Sequence, residues 1–427
     1  MEISIIETRT APTVQVQIDG KKIVFHSRYD PIKEAKDWAR NALKLIDSSK
    51  QHIVIGLAAG YHLQALSAAA KDTKIIVLEF NNNYFNWFIS SLFYEIVNQL
   101  PNVELYNVKN INEKQREDIF NNLYSNDILI QKNALEIFPK EYGEIKEIIK
   151  EINVQQFSFL NQFDNIERNF EANLAMRDKG IKIWQNFYES RPMILVSAGP
   201  SLDKQLSLLK RISFERKIRI GSVGTAVKPL LKQEIVPDFI MISDPNRGTF
   251  PQLEGVDLVN TPLFYLSTAY SETIAAYQGP RYIVFQNGYD KAENMSALKN
   301  EPLIQTGGSV STTLLDLMRY LGASDVGLVG QDLAFTDGLT HAHFTPLQRT
   351  ITNEANLIQV LDYYQQKLVY TSKNLMIYKK WFERYAAQQP KMHLYNCTEG
   401  GAFIKNWKHL SLNEFNNSFS KENSRKD

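Results

Sequence analysis

"MILVSAGPSL", residues 193–202, decides the fold of this chain. An apolar run with no polar alternation enters Ser197-Ala198-Gly199-Pro200-Ser201, and a helical period opens behind it in "DKQLSLLKRI". A strand with no polar face is covered on both sides. A strand feeding a helix through a tight Gly-Pro turn is half of a parallel βαβ unit.

The neighbouring sequence repeats the pattern. "IRIGSV", "DFIMIS", "PLFYLS", "RYIVFQ", "PLIQT" and "DVGLVG" follow at short spacing, with helical segments such as "VSTTLLDLMRYLGA" between some of them. These predict an open α/β domain over residues 191–345, mostly parallel and covered on both faces. Upstream, "TVQVQI" and "KIVFHS" alternate around the turn "DGKK" as a hairpin. Then "HIVIGLA", a glycine turn, the helix "YHLQALSAAAK" and the strand "KIIVLEF" form a Rossmann-like N-terminal domain over residues 1–110. Residues 111–190 are charged and helical in period ("KQREDIFNNLY", "EIKEIIKEI", "NFEANLAMRDKGIKIWQNFY") and read as a helical connector. Residues 346–427 read as a helical C-terminal region ("NEANLIQVLDYYQQKLVY", "NLMIYKKWFERYAAQ") ending in the polar, disordered tail "NNSFSKENSRKD".

With 427 residues, 44% of them hydrophobic and 22% charged, the composition is that of an ordinary soluble protein with material for two or three domains. A net charge of +1 points to neither nucleic acid nor a membrane surface. The single cysteine, Cys397, excludes a disulfide framework and a cysteine zinc cluster. The N-terminus lacks a signal-peptide pattern and no apolar run approaches a membrane span, so a cytoplasmic location is expected.

The chemistry-bearing residues gather at strand ends. Ser197 to Ser201, Gly224-Thr225, Asp244 with Asn246, Thr306-Gly307-Gly308-Ser309 and Gln331-Asp332 all fall where a parallel sheet binds ligands. In the first loop Gly199 admits close approach, while Ser201 or Asp203 is placed to cap the next helix and leave its N–H groups for an anion. No Gly-Lys-Ser/Thr follows, so a single phosphate fits better than a triphosphate. Two glycines at Gly307-Gly308 suit close approach of a bulky ligand, with Thr306 and Ser309 as hydroxyl donors. Asp244 and Asp332 suit a metal, a sugar hydroxyl or a proton-transfer role, and equally a turn or cap. "DLAFTDGLTHAHF" (332–344) leaves the sheet as a loop carrying His341 and His343, one of them read as an acid/base or phosphate contact on a mobile lid. His341-Ala342-His343 puts both imidazoles on one side of an extended segment, as a metal would need, but no matching carboxylate motif accompanies it. In the N-terminal domain, Gly56 to His62 with Glu79 is reminiscent of a dinucleotide or S-adenosylmethionine site, but the glycine spacing favours a structural role. "NCTEGGAFIKN" (396–406) suggests a backbone packed against the site, or a turn.

Together, "VSAGPSL", "SDPNRG", "TGGSVSTTLLDLMRYLGASDVGLVGQDLAFTDGLTHA" and "NCTEGGA" resemble the motility-associated factor (Maf) family of bacterial flagellin glycosyltransferases, over about residues 40–410. The central domain is similar to bacterial sialyltransferases, whose Gly-Pro-Ser, Thr-Ser-Gly and Gly-Ile-Asp motifs resemble Gly199-Pro200-Ser201, Thr306 to Ser309 and Gly330-Gln331-Asp332. The resemblance implies transfer of a nonulosonic acid, of the pseudaminic or legionaminic type, from a CMP-sugar to Ser/Thr hydroxyls of flagellin. It implies that the first loop and Gly224-Thr225 hold CMP, that Thr306 to Ser309 face the sugar, and that His341 is the nearest match to a general base, with Asp332 and Asp244 as competitors. No cofactor is required; a divalent metal is compatible with the reading but not implied by it. The rival readings are a pterin-pathway pyrophosphokinase and a non-catalytic flagellin-binding chaperone.

Overall fold

The computed structural model describes residues 1–46, 51–112, 128–345, 348–351 and 357–420. The expected helix "KQREDIFNNLY" and the last residues of the tail lie outside them. The chain divides into two compact units, Met1–Asn161 and Gln162–Asp427.

In the first unit, the antiparallel strands β1 (Glu2–Ile6), β2 (Thr13–Ile18) and β3 (Lys21–Val24) extend the expected hairpin by one strand. Helix α1 (Pro31–Ala42) starts at Asp30, whose carboxylate accepts the Lys33 N–H. A parallel sheet follows in the order β6 (Val103–Asn107), β5 (Ile75–Glu79), β4 (His52–Ile55), β7 (Ile128–Ile130). Strand β7 lies beyond the expected end of this domain, because a three-residue "ILI" is too short to show against the charged helical background. Helices α2 (Tyr61–Ala69), α3 (Asn82–Ile89) and α4 (Leu92–Asn98) complete the unit, and α5 (Gly143–Ala175) crosses from it into the second.

The chain turns back at β4, so the crevice between the ends of β4 and β7 is where a Rossmann-like sheet would take its ligand. Here the protein fills it. A Cβ on Gly56 would fall 2.1 Å from the Ala134 side chain, and one on Gly60 would fall 2.6 Å from Val97. Residues 53–63 are buried throughout. Glu79 receives the Leu57 and Asn81 N–H groups (3.2 and 2.9 Å), so it ties turns together. The structural reading of this turn is the one the packing supports.

Burial pushes the Glu79 carboxyl from 4.5 up to about 7, against the opposing effect of its backbone donors. A raised folded-state value favours the protonated acid in the folded chain. Its stabilisation is therefore full below about pH 4.5 and lost as pH rises through 7, on the order of 3 kcal/mol. Thermal melting over that range is expected to show a falling midpoint in the native chain and a flatter one in Glu79→Gln.

The second unit is built on one sheet in the order β14 (Leu303–Ile304), β13 (Arg281–Gln286), β12 (Leu263–Leu266), β11 (Phe239–Ile242), β10 (Arg219–Val223), β9 (Met193–Val196), β15 (Asp325–Val329), β18 (His393–Asn396), β19 (Lys408–His409), with β8 (Lys179–Gly180) beside β13. Among the described residues every pairing in it is parallel. Strands β9, β11, β12 and β15 are buried at every position, as the unbroken apolar sequences of the first three require. The faces carry α6 (Leu202–Glu215), α7 (Gly224–Lys232), α8 (Phe250–Leu253), α9 (Ser271–Ala276), α10 (Asp290–Lys299), α11 (Val310–Tyr320), α12 (Lys373–Gln388) and α13 (Leu412–Ser420).

The C-terminal region departs from the helical expectation. "IQVL" and "LVYT" pair as the antiparallel strands β16 (Ile358–Leu361) and β17 (Leu368–Thr371), and β18 and β19 join the main sheet. The apolar spacing in "LIQVLDYYQQKLVY" fits both periods, and turn chemistry decides between them: Asp362 receives the Gln366 and Lys367 N–H groups (2.8 and 3.2 Å) and closes a hairpin. Tail residues up to Ser420 continue α13. No described helix is long and apolar enough to cross a membrane.

Candidate functional site

The strand order reverses at β9, which lies between β10 and β15. In an open α/β sheet that reversal opens a crevice beyond the carboxyl ends of the two strands. The loops Ser197 to Ser201 and Gly330 to Asp332 meet there.

What the first loop holds is a carboxylate of its own chain. Asp332 accepts the Ser201 hydroxyl at 2.6 Å, the Ser201 N–H at 3.3 Å and the Thr336 hydroxyl at 2.5 Å. It is buried, and burial holds its carboxyl above the usual range despite those donors. Gly199 is required by this contact, since a Cβ would stand 2.1 Å from Asp332 Oδ1 and 2.5 Å from the Gly330 carbonyl. From the other side Gly401, at φ +73°, admits the Asp332 carbonyl at 2.0 Å from where its Cβ would be. The Ala402 N–H donates to that same carbonyl at 2.7 Å. "NCTEGGA" is thus a backbone packed on the strand-end loop.

The expected cap at α6 is not there. Ser201 makes no side-chain cap, because its hydroxyl is committed to Asp332. The first N–H groups of α6 close on Gly199, Pro200 and Ser201 carbonyls at 3.1, 3.4 and 3.1 Å. Asp203 holds His343 instead, at 2.6 Å from Nδ1. Ser197 donates to Gln331 at 2.5 Å and lies 2.9 Å from the Ser311 hydroxyl, so Ser197 and Gln331 also serve the junction. Pro200 is buried.

The loop after β15 is tied down. The Ala342 N–H donates to the Ala198 carbonyl at 2.9 Å, which places half-buried His341 against the first loop. His343 lies exposed on Asp203, so of the two histidines only His341 is set against the switch-point turn.

At the second glycine loop the close approach is again intramolecular. The Trp381 ring lies 2.4 Å from a Cβ on Gly307, and Tyr378 lies 3.1 Å from one on Gly308. Ser309 and Thr312 form a capping box at α11, and the Gly307 N–H donates to the Thr312 hydroxyl at 2.9 Å. Buried Asp316 anchors the loop from below through the Gln305 N–H, Arg319 and the Tyr385 hydroxyl. Thr306 and Ser309 remain half-exposed and Gly308 exposed.

Gly224 and Thr225 open α7 directly from β10. No side chain caps this helix, Gly224 and Ala226 are buried with the Gln252 side chain packed on Gly224 (2.5 Å from where a Cβ would be), and Thr225 is half-exposed. One strand further, exposed Asp244 accepts Asn246 through both its N–H (2.8 Å) and its side-chain amide (2.9 Å). Burial and the Asp244 charge raise the Tyr378 hydroxyl, which places α12 beside this loop. Among the described residues no group of three His, Cys, Asp or Glu side chains is arranged to hold a metal.

The sequence reading missed a ladder of asparagines in "NIERNFEANLA" (165–175). Asn169 donates to the Pro245 and Thr268 carbonyls (2.9 and 3.3 Å), and Asn173 to those of Ser267 and Ala269 (3.0 and 2.8 Å). Asn165 reaches Asn246 at 3.2 Å. Four-residue spacing puts all three on one helix face, so α5 closes the edge over β11 and β12. The spacing itself was the available signal.

Two comparisons bear on this architecture. Residues 161–338 match the family described as 6-hydroxymethylpterin diphosphokinase MptE-like. The solved structure of the Maf glycosyltransferase from Magnetospirillum magneticum AMB-1 superposes with a TM-score of 0.51 over 93% of this chain and 68% of that one, at 17% identity. This chain has the Maf glycosyltransferase fold. No curated protein matches the sequence. The Maf likeness expected from the strand-end motifs therefore extends through both units as fold.

The knot around Asp332 makes a sharp prediction. Gly199→Ala is expected to cost on the order of 3 kcal/mol in urea unfolding, because neither the Asp332 carboxylate nor the Gly330 carbonyl has room to yield. Gly248→Ala, where nothing lies within 4 Å of the added carbon, should be close to neutral.

Proposed function

We propose that this chain transfers a nonulosonic acid from its CMP-activated form to Ser/Thr hydroxyls of flagellin, in the cytoplasm before export. The observation that carries this reading is the Maf fold over nearly the whole chain. The uncapped start of α7 supports it locally, since a CMP donor presents one phosphate and needs few positive charges.

In this reading the N–H groups of Gly224, Thr225 and Ala226 take the phosphate as it becomes the leaving group. Gly308 and the half-exposed hydroxyls of Thr306 and Ser309 face the donor sugar. The acceptor oxygen attacks the anomeric carbon, the carbon–phosphate oxygen bond breaks, and CMP departs with the bonding pair. His341 takes the hydroxyl proton. Asp332, enclosed by its own donors, keeps the first loop and the His341 segment in register and moves no proton. Asp244 is the open carboxylate of the edge and serves the sugar hydroxyls.

The match of residues 161–338 to a pterin diphosphokinase family supports a second reading, pyrophosphoryl transfer from ATP. The two part in one experiment. Flagellin incubated with CMP-nonulosonate and this protein should gain the mass of the sugar, and His341→Ala should lower the rate by about 100-fold with the fold intact. A hydroxymethylpterin diphosphate product with ATP, and no gain in flagellin mass, would replace the first reading with the second. Flagellin bound but unmodified would leave a chaperone.

A further inference from the structure

The turn packed on Asp332 runs from Asn396 to Ile404, and its two ends meet at one atom, Nε2 of His409. At the start the Asn396 side-chain amide donates to that nitrogen at 3.2 Å, and at the end the Ile404 N–H donates to it at 3.3 Å. Each orientation is fixed independently. Asn396 Oδ1 accepts the Thr398 N–H at 3.1 Å, which turns the amide nitrogen toward the histidine. Nδ1 of His409 lies 3.1 Å from the Trp407 carbonyl, which can only accept, so Nδ1 carries the proton and Nε2 offers its lone pair. A second proton on the ring would set an N–H against two N–H donors. The junction therefore forms only with a neutral imidazole.

Between those ends the turn covers the switch-point knot. Thr398 Oγ1 accepts the Gln331 N–H at 3.3 Å, a Cβ on Gly400 would stand 2.9 Å from that of Ser201, and the Ala402 N–H holds the Asp332 carbonyl at 2.7 Å. The surroundings offer an added proton on His409 no partner. Phe403 stacks on the ring at 4.5 Å and Tyr363, whose hydroxyl donates to the Asn396 and Leu410 carbonyls, stands at 5.0 Å. The carboxylates of the packed elements are committed elsewhere. Glu399 of the turn accepts Gln205 and the Leu412 N–H, and Asp362 of the hairpin closes its own turn. Glu383 of α12 takes Lys379 and the Lys405 N–H, and Glu414 of α13 takes Ser411. Lys408 beside the ring carries a like charge, and burial pushes the Cys397 thiol up. Burial also holds the His409 ring below the ordinary value of 6.5, against the opposing effect of the Trp407 carbonyl.

We infer that His409 is a positioning residue of the switch-point edge: its neutral Nε2 keeps the 396–404 turn closed on Asp332, and protonation of the ring opens that turn. Asp332 in turn holds the first loop, against which the His341 segment is set. The latch stands on these contacts alone, while its effect on sugar transfer rests on the reading proposed above. A histidine depressed on folding stabilises the closed turn fully above about pH 6.5, and that contribution is lost as pH falls through the folded-state value.

Hydrogen exchange of the full chain at the Ala402 and Ile404 amides tests the latch, with the Ile240 amide, bonded to Pro262 in the sheet, as reference. Between about pH 8 and 6.5 protection at both amides should hold, then fall by up to about tenfold per pH unit while Ile240 stays protected. His409→Gln keeps an acceptor that takes no proton, so its protection should stay level on acidification. His409→Leu removes the acceptor and should lower protection about 10-fold at every pH. The rate of sugar transfer to flagellin should fall in His409→Leu and be rescued in His409→Gln. A fall with pH of equal size in His409→Gln would assign the titration to Asp332 and overturn the latch, as would native protection that ignores pH. That comparison stands even where His409→Leu does not fold. Lost protection in His409→Leu with an unchanged transfer rate would overturn the positioning role. A native chain that moves no sugar while the exchange results hold would overturn the transfer reading and leave the latch in place.

Discussion

The buried carboxylate of Asp332 is the constraint on which the switch-point edge of the second unit depends. Three segments meet at it: the turn after β9, its own segment after β15 with Thr336, and the Gly400-Gly401 turn. An ionisable group removed from water is costly unless donors surround it. Here the donors come from Ser201 and Thr336, so the cost of burying the acid is offset only when those segments are in place together. The glycines follow from the same contact, because a side chain at either Gly199 or Gly401 would occupy the volume of Asp332.

The sequence exposed the sheet and hid the site's internal wiring. Unbroken apolar runs such as "MILV" and "FIMI" have one physical explanation, burial on both faces, and every expected strand from 193 to 330 is present in the parallel sheet. The strand-end positions of the polar loops follow directly from that. Their partners do not, because a glycine and a serine before a helix look the same whether a phosphate or a carboxylate fills the turn. Ser201 illustrates the ambiguity: its place at the helix start suggests a cap, while its hydroxyl points to a residue 131 positions away. The hairpin of β16 and β17 was hidden for a different reason, since its apolar spacing satisfies both helical and strand periods and only the Asp362 turn separates them.

The two units show opposite uses of one topology. Each parallel sheet reverses its strand order beside a glycine-bearing turn. In the first unit Ala134 and Val97 press on those glycines and close the crevice, and Glu79 spends both oxygens on backbone. In the second, the first loop is closed by Asp332 and the Gly307-Gly308 loop by Trp381 and Tyr378, and a cavity remains under α5 at the ends of β11 and β12. The location of a ligand site on such a sheet is therefore set by which strand ends the chain leaves uncovered.

The knot also shapes how this sequence can vary. Gly199, Ser201, Asp332 and Gly401 share one volume and one set of donors, so their substitution energies do not add. A larger residue at Gly199 meets both the Asp332 carboxylate and the Gly330 carbonyl, and a shorter residue at 332 would relieve only the first while stranding the Ser201 and Thr336 donors. These four positions, spread over half the chain, act as a single energetic unit.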